Sequence, residues 1–218
     1  MNKKYGWMLC LLALAVCVSS LPAMAGTAYN NTLPTGSNCC SGWTIGGSGS
    51  LVGLVEDAQL FTSATSGTVS ELQIDIGFVA GDNSASVGIY TDVSNAPGTL
   101  IAGSTTGTLV AAPFGDACPN PCELSVFGTG GTLTAGSSYF VVILADNSTW
   151  DAWNQNSNGY TGTLEQNSGS GWNAFSGETL GGMAIYTGAG TTPEPSSLLL
   201  LGTGLVGAFG VIRRKLNR

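Results

Sequence analysis

The chain has 218 residues, of which 43% are hydrophobic and 9% are charged, with a formal net charge of −7 and no histidine. This length fits one ordinary domain with terminal segments, and the hydrophobic content excludes a disordered chain. All six lysine and arginine residues lie near the two ends of the chain, so the stretch from Gly26 to Gly190 has no cationic side chain. The same stretch contains twelve of the thirteen carboxylates, all except Glu194. Such a surface repels phosphate backbones, which excludes nucleic acid as a partner.

The first 25 residues predict a secretory signal peptide. Lys3 and Lys4 give a basic start, residues 8–18 form a short apolar run, and Ala23 and Ala25 are the small residues that a signal peptidase reads. We therefore expect cleavage directly after the second alanine, and export from the cytoplasm.

Two other interpretations of this leader remain open. An uncleaved anchor would need a longer apolar run than the one present. A lipoprotein would be modified at Cys17, but Val16 is larger than the residue normally found before a lipidated cysteine. Both features favour the cleaved signal peptide.

The middle of the chain predicts an all-β domain. Residues 26–53 are rich in Gly and Ser, and we interpret them as a loosely structured lead-in with room for one early strand. Residues 54–188 are better patterned and predict an antiparallel β-sandwich that is jelly-roll-like. Leu72, Ile74 and Ile76 alternate with polar residues, as half-buried strands do, and the apolar run 139–144 predicts a central strand covered on both faces. Further strand signals lie at 57–62, 87–90, 108–111, 123–127, 148–153, 160–164 and 182–187, and a turn is predicted at 92–98 with Pro97-Gly98 as its firmest marker.

This region resembles the choice-of-anchor type domains. The residues that carry the resemblance are Ala58-Gln59-Leu60-Phe61, Leu72-Gln73-Ile74-Asp75-Ile76, Val87-Gly88-Ile89-Tyr90-Thr91-Asp92, Ala96-Pro97-Gly98, the run 133–142 and the later Trp150. The resemblance implies a β-sandwich fold at a cell surface. It implies no activity and no catalytic residue.

The C-terminal end has three parts in a fixed order, after a short linker at residues 189–192. Pro193-Glu194-Pro195 comes first, an uncharged segment at about 196–212 follows, and a basic tail closes the chain. Seventeen helical residues rise about 25 Å, enough to span a bilayer at the low end of the usual range. The tail would hold its end in the cytoplasm through Arg213, Arg214, Lys215 and Arg218.

Residues 193–218 closely resemble the PEP-CTERM sorting signal in motif, apolar span and basic tail. The resemblance implies that an exosortase recognises Pro193, Glu194 and Pro195, cuts near them, and releases or re-attaches the exported part. The membrane helix would then belong to an inner-membrane intermediate. The final location would be the cell surface or the extracellular matrix.

Four cysteines follow the signal peptide and are the disulfide candidates: Cys39, Cys40, Cys118 and Cys122. An even number of cysteines in an exported chain favours disulfides over free thiols. Three connectivities are open, and a bridge between the early and the late pair would close a loop of about 80 residues and stabilise the fold by roughly 4 kcal/mol in the chain-entropy model. Zinc bound by all four thiols is the competing interpretation, which the irregular spacing disfavours.

No catalytic residue is predicted, and we expect the protein not to be an enzyme. Without His or Lys in the middle of the chain, neither a Ser-His-Asp nor a Ser-Lys arrangement can be assembled. The alternative is a glycosidase-like enzyme that uses two carboxylates, for which Asp146, Asp151, Glu165 and Glu178 are the candidates.

Polysaccharide is the candidate ligand. Four aromatic residues lie in a stretch rich in Asn, Gln, Ser and Gly, namely Trp150, Trp153, Tyr160 and Trp172. Flat rings beside amide and carboxylate groups suit sugars, although the same rings could equally pack a sandwich core. No cofactor is expected, with Ca²⁺ kept as one hypothesis because residues 82–84 and 146–147 are oxygen-rich loop segments.

Overall fold

The structure, a computed structural model, describes residues 26–32, 41–103, 111–114, 123–126 and 131–188. Within these ranges every regular element is a β-strand. The strands are β1 Gly26–Asn30, β2 Gly42–Gly46, β3 Glu56–Thr62, β4 Gly67–Ala80, β5 Ala85–Val93, β6 Ala96–Gly103, β7 Ala112–Pro113, β8 Glu123–Val126, β9 Thr132–Leu133, β10 Ser138–Ala145, β11 Trp150–Asn154, β12 Thr161–Asn167, β13 Trp172–Thr179 and β14 Met183–Thr187.

Two sheets form a β-sandwich, and the long strand β4 organises the first of them. Sheet one follows the order β1-β14-β4-β11-β2, and β7, β8 and β9 also pair with β4. β14 pairs with β4 between Val69 and Ile74, and β11 pairs with it between Ile76 and Ala80. β14 and β11 meet end to end along β4. At this junction the Gly182 carbonyl accepts a hydrogen bond from the Asp75 amide, and the Gly182 amide donates one to the Asn154 carbonyl. All described pairings of this sheet are antiparallel except that of β4 with β7.

Sheet two is antiparallel throughout, in the order β13-β12-β3-β10-β5-β6. β3 and β10 lie at its centre, and most of their side chains are buried on both faces. Val141 and Ile143 point into the space between the sheets, and Phe140 and Val142 point to the outer face, yet all four are at most 1% exposed. This confirms the central strand that the continuous apolar run predicts.

The main core lies between the sheets. Each strand sends alternate residues into it, because successive side chains of a strand point to opposite faces. The members with at most 1% exposure include Ile74, Ile76 and Trp153 from sheet one, and Ile89, Val141 and Ile143 from sheet two. Each such side chain contributes about 1.5–3 kcal/mol to folding, so apolar burial holds the two sheets together.

The fold departs from the sequence prediction in several places, which include the short strands β7 and β9 that were not predicted. The range 26–53 contributes β1 and β2 to sheet one, so the folded region begins earlier than expected. The predicted turn at 92–98 is reduced to Ser94 and Asn95, whose positive φ values of 58° and 64° form a tight hairpin turn, and Pro97-Gly98 belongs to the edge strand β6. β13 was not predicted, because its residues are exposed on both faces and show no alternation.

The link after β4 requires a glycine at position 81. Gly81 has φ +89°, and a Cβ atom there would come within 1.9 Å of the Ser148 carbonyl oxygen. Gly136 has a similar φ of +79°, but an added Cβ would meet nothing within 4 Å. The two positions thus share the backbone strain and differ only in the space available.

We predict that Gly81→Ala destabilises the protein more than Gly136→Ala does. The Gly136 variant should lose about 1–2 kcal/mol for the left-handed backbone alone. The Gly81 variant should lose at least about 2 kcal/mol more, because its Cβ displaces the backbone of the 146–149 turn. Denaturant unfolding of the two variants measures the difference, and equal losses would contradict the close approach.

Candidate functional site

Many of the residues singled out in the sequence lie outside the described residues. These are Cys39, Cys40, Cys118, Cys122, Ala23, Ala25, Pro193, Glu194, Pro195, Arg213, Arg214, Lys215, Arg218 and the membrane span at about 196–212. Disulfide pairing, signal cleavage and the membrane helix therefore stay predictions.

The four candidate sugar-binding aromatics do not form one surface. Trp153 is fully buried, and its indole N–H donates to the Gly182 carbonyl at 3.1 Å, so its ring packs the core and cannot meet a ligand. Trp150, three residues earlier on β11, points to the outer face of sheet one and is half-buried. Tyr160 is 49% exposed in the turn before β12, and Trp172 begins β13 in sheet two.

The outer face of sheet two carries a second aromatic side chain in addition to Trp172, on a strand separated from it by β12, β3 and β10. The rings of Tyr90 and Trp172 both pack against a small cluster of Ala58, Phe140 and Val142, which is separate from the main core. We call this surface the Tyr90–Trp172 face. Its two rings stay half-buried at the surface while the cluster beneath them is at most 1% exposed.

Small side chains cross this face in one row. The strand register places Gly88 opposite Val142, Val142 opposite Ala58, Ala58 opposite Glu165, and Glu165 opposite Ala174. The row runs perpendicular to the strands, and only Glu165 in it has a long side chain. Four of its five members, namely Gly88, Val142, Ala58 and Glu165, are buried, so most of the row is covered and only Ala174 is exposed.

Polar groups lie on the same face of sheet two. Asn167 donates from Nδ2 to Glu56 Oε2 at 2.8 Å, and its Oδ1 accepts from the Gly169 and Gly171 amides at 2.9 and 3.0 Å. Burial raises the pKa of the Tyr90 phenol, and the nearby Glu56 carboxylate raises it further. Burial also raises the pKa of Glu165, which is 2% exposed. Because its pKa is raised, the Tyr90 phenol stays protonated at neutral pH and can donate a hydrogen bond.

Three polar side chains lie deep in the main core without full hydrogen bonding. Asp57, Gln59 and Asp151 are each 0% exposed. Gln166 Nε2 donates to Asp57 Oδ1 at 3.1 Å, but within the described part of the chain Asp57 Oδ2, both amide atoms of Gln59 and both oxygens of Asp151 have no partner. Burial raises the pKa of both aspartates to about 7. No cationic side chain occurs between Lys4 and Arg213, so neither can be neutralised by an ion pair within this domain.

The carboxylates named for a glycosidase do not form one group. Asp151 is sealed in the core, where no substrate reaches it, and Asp146 lies in an exposed turn where its Oδ2 accepts from the Ser84 hydroxyl. Glu165 lies on the Tyr90–Trp172 face, and Glu178 is the next-to-last residue of the edge strand β13. Of the four, Glu165 alone lies beside aromatic rings on the outer face of sheet two.

The two loop segments considered for Ca²⁺ lie side by side. The Ser148 hydroxyl donates to Asp82 Oδ2, the Ser84 hydroxyl donates to Asp146 Oδ2, and the Asp146 amide donates to the Ser84 carbonyl at 2.9 Å. Both carboxylates are thus engaged by serines across the loops. Among the described residues no group of three or more His, Cys, Asp or Glu is arranged to hold a metal ion, so Ca²⁺ stays a prediction.

Comparison with known families identifies the C-terminal segment. A PEP-CTERM protein-sorting motif matches residues 191–215. The chain carries this sorting motif. The motif implies export, sorting to the cell surface and processing by an exosortase.

The match covers 25 of the 218 residues and does not include the sandwich. No curated protein matches the chain. Over the ranges that the structure describes, no helix has the length and hydrophobicity needed to cross a membrane.

Sequence reasoning did not bring Tyr90, Glu56 and Asn167 together on one face. They come from three strands far apart in the chain, and only the strand register brings them to one face. The only sequence signal for this arrangement was the alternation along β3. It places Glu56, Ala58 and Leu60 on one face of the strand, and Asp57 and Gln59 on the other.

We predict that the protein is most stable at acidic pH, because of the two buried aspartates. Their folded pKa of about 7 lies above the unfolded value near 3.8, so the folded state holds protons that the unfolded state has released. This contribution is complete below about pH 4, falls as pH rises, and is lost above about pH 7, a change on the order of a few kcal/mol. The melting temperature of the full chain should therefore drop between about pH 4.5 and pH 8.

Isosteric variants test the assignment. Asp57→Asn and Asp151→Asn should each raise the melting temperature at about pH 8 and flatten its pH dependence, because the amide carries no charge to desolvate. Glu178→Gln on the edge strand β13 is the control for removal of a charge and should change little. Lower stability of both asparagine variants at alkaline pH would contradict buried neutral acids.

Proposed function

We propose that this chain is an exported surface or extracellular-matrix protein, processed by an exosortase, whose β-sandwich binds extracellular polysaccharide without catalysing a reaction. The observation that carries the proposal is the PEP-CTERM motif at 191–215, because it supplies a route to the cell surface. A signal peptide at 1–25 would begin this route, and a membrane helix at about 196–212 would hold the intermediate for processing. Signal peptidase and exosortase are the expected partners.

The form of the domain supports this proposal. Its two antiparallel sheets agree with the resemblance to choice-of-anchor type domains, and a jelly-roll-like connection of the strands is part of the proposal. Half-buried or exposed aromatic rings remain at Trp150, Tyr160 and Trp172, in a sequence stretch rich in Asn, Gln, Ser and Gly. Such groups suit sugars better than they suit apolar ligands.

A non-enzymatic role is proposed from the available chemistry. Between Gly26 and Gly190 there is no His, Lys or Arg to act as a base or to stabilise an oxyanion. We propose that no cofactor takes part, and Ca²⁺ bound at the Asp82 and Asp146 loops would be structural.

One observation favours the alternative, a glycosidase-like enzyme. Glu56 lies opposite Asn167, two residues from Glu165, so the two glutamates are diagonal neighbours on one face, with Cα atoms about 7–8 Å apart. The raised pKa of Glu165 is what a general acid requires. The 2% exposure of Glu165 weighs against this role, because a general acid must touch the glycosidic oxygen.

We predict that replacing Pro193, Glu194 and Pro195 by alanines leaves the protein membrane-bound and unprocessed, because the exosortase loses its recognition point. Fractionation of cells followed by mass measurement of the product checks this. Ala189→Ser, which lies outside the matched segment at 191–215, is the control and should permit normal processing. Normal maturation of the triple variant would reduce the segment to an ordinary anchor.

We further predict that the protein is retarded in native gels that contain exopolysaccharide from its own cells, and that it releases no reducing ends from it. Glu165→Gln should likewise release no reducing ends, since a binding protein needs no general acid. Release of sugar that this variant abolishes would establish the enzyme instead. Absence of retardation would refute polysaccharide binding.

A further inference from the structure

We propose that two copies of this chain associate through the edge strand β13, which pairs antiparallel with β13 of the second copy about a two-fold axis at Phe175. The two six-stranded sheets then continue into one sheet across the interface. The partner is a second copy of this chain, and the association does not depend on polysaccharide binding.

One side of β13 has no strand beside it. Among the described residues β13 pairs only with β12, and it stands at one end of the order of sheet two. Successive residues of a strand direct their N–H and C=O groups to alternate sides, so half of these groups on β13 point away from β12. The Trp43 indole N–H donates to the Thr179 carbonyl at 2.8 Å, which occupies the last residue of the strand. The stretch open to a further strand is therefore 172–178, which we call the open edge.

The open edge lacks the features that keep sheet edges apart. Proteins blunt such edges with charged side chains, above all Lys, with Pro, with bulges or with short strands. Residues 166–177 contain no charged residue and no proline, and the register shift of β13 lies near its end, at Gly177. By contrast, β6 at the other end of sheet two contains Pro97 and two register shifts, and the outermost strands of sheet one, β1 and β2, have five residues each. β13 is thus the edge best suited to strand pairing.

Phe175 sets the register of the pairing. It is 42% exposed, although it is a large apolar side chain, and it is the central residue of the open edge. A two-fold axis at this position pairs all seven residues of the open edge, and any other centre leaves some of them unpaired. The two Phe175 rings then lie directly opposite each other on one face, where cross-strand aromatic pairs stabilise a sheet. The pairing is isologous, as closed dimers require.

The charge on the open edge permits a second copy as the partner. Its only carboxylate is Glu178, next to its end. In the proposed register Glu178 lies opposite Trp172 of the second copy, so the two Glu178 residues are about 20 Å apart along the strands. This exceeds the Debye length of about 8 Å at physiological ionic strength, so their repulsion is screened. The sorting motif implies delivery to the cell surface, which brings many copies of this chain together.

Sedimentation velocity of the full chain in density-matched detergent tests the association. We expect a dimer whose fraction rises with protein concentration, and rises further at about 0.5 M NaCl because salt screens the repulsion between two acidic domains. A monomer at all concentrations and in both salts would overturn the proposal.

A charge at the centre of the open edge locates the interface. Phe175→Glu places two like charges directly opposite each other and should weaken dimerisation about tenfold or more. Leu51→Glu is the matched control, since Leu51 is 88% exposed in the loop before β3 and its variant should dimerise like the unmodified protein. Circular dichroism checks that both variants fold. A dimer that Phe175→Glu leaves unchanged would overturn the proposal, because it would form through another part of the chain.

Cysteine cross-linking tests the register and does not require the Phe175 variant to fold. In the proposed pairing Ala174 lies opposite Ser176 of the second copy, within the range of a disulfide. A mixture of Ala174→Cys and Ser176→Cys should therefore give a linked dimer on mild oxidation. Either variant alone should give little, because equal positions in the two copies are about 8 Å apart, beyond that range. The unmodified protein controls for the native cysteines, and mass measurement identifies the linked peptides. No 174–176 link in the mixture, or equal linking in the single variants, would overturn the proposal.

Discussion

The absence of cationic side chains between Lys4 and Arg213 is the constraint on which the rest of this structure depends. No carboxylate in the sandwich can be neutralised by an ion pair within the domain, so each must face water, form hydrogen bonds or keep its proton. Stability must therefore come from apolar burial and strand pairing. The long strand β4 and the doubly covered strand β10 supply these to the two sheets.

The same constraint explains the two aspartates in the core and limits the surface. Asp57 and Asp151 are fully buried with a raised pKa, because a charged carboxylate there would have neither water nor a counter-charge. On the outside, a domain with carboxylates alone cannot attract polyanions. On the Tyr90–Trp172 face, Glu56 is engaged by the Asn167 amide and not by a base.

Much of the fold could be predicted from the sequence, because strands that bury one face alternate apolar and polar residues and strands that bury both faces are continuously apolar. The alternation at Leu72, Ile74 and Ile76 and the continuous run at 139–144 predicted β4 and β10. β13 was not predicted, because an edge strand that is mostly exposed on both faces needs no alternation of apolar and polar residues. β6 was not predicted, because Pro97-Gly98 indicates a turn, although both residues are tolerated in a strand at the edge of a sheet.

The candidate site was less predictable. From composition, Trp153 and Trp172 were equally good candidates for sugar binding. In the structure Trp153 fills the core and Trp172 is half-buried at the surface. That distinction depends on which face of which strand each ring occupies, and in turn on the register with strands distant in the chain. Tyr90 and Glu56 gave no local signal, since their relation to Trp172 exists only across the sheet.

A carboxyl-carbon NMR titration of the protein, with resonances assigned through Asp57→Asn and Asp151→Asn, tests the central claim most directly. The account predicts two aspartate signals that titrate near pH 7, since burial without a counter-charge raises both values to about 7. Titration of both residues near the ordinary aspartate value of about 3.9 would contradict it, because the two carboxylates would then be charged or solvated in the folded state.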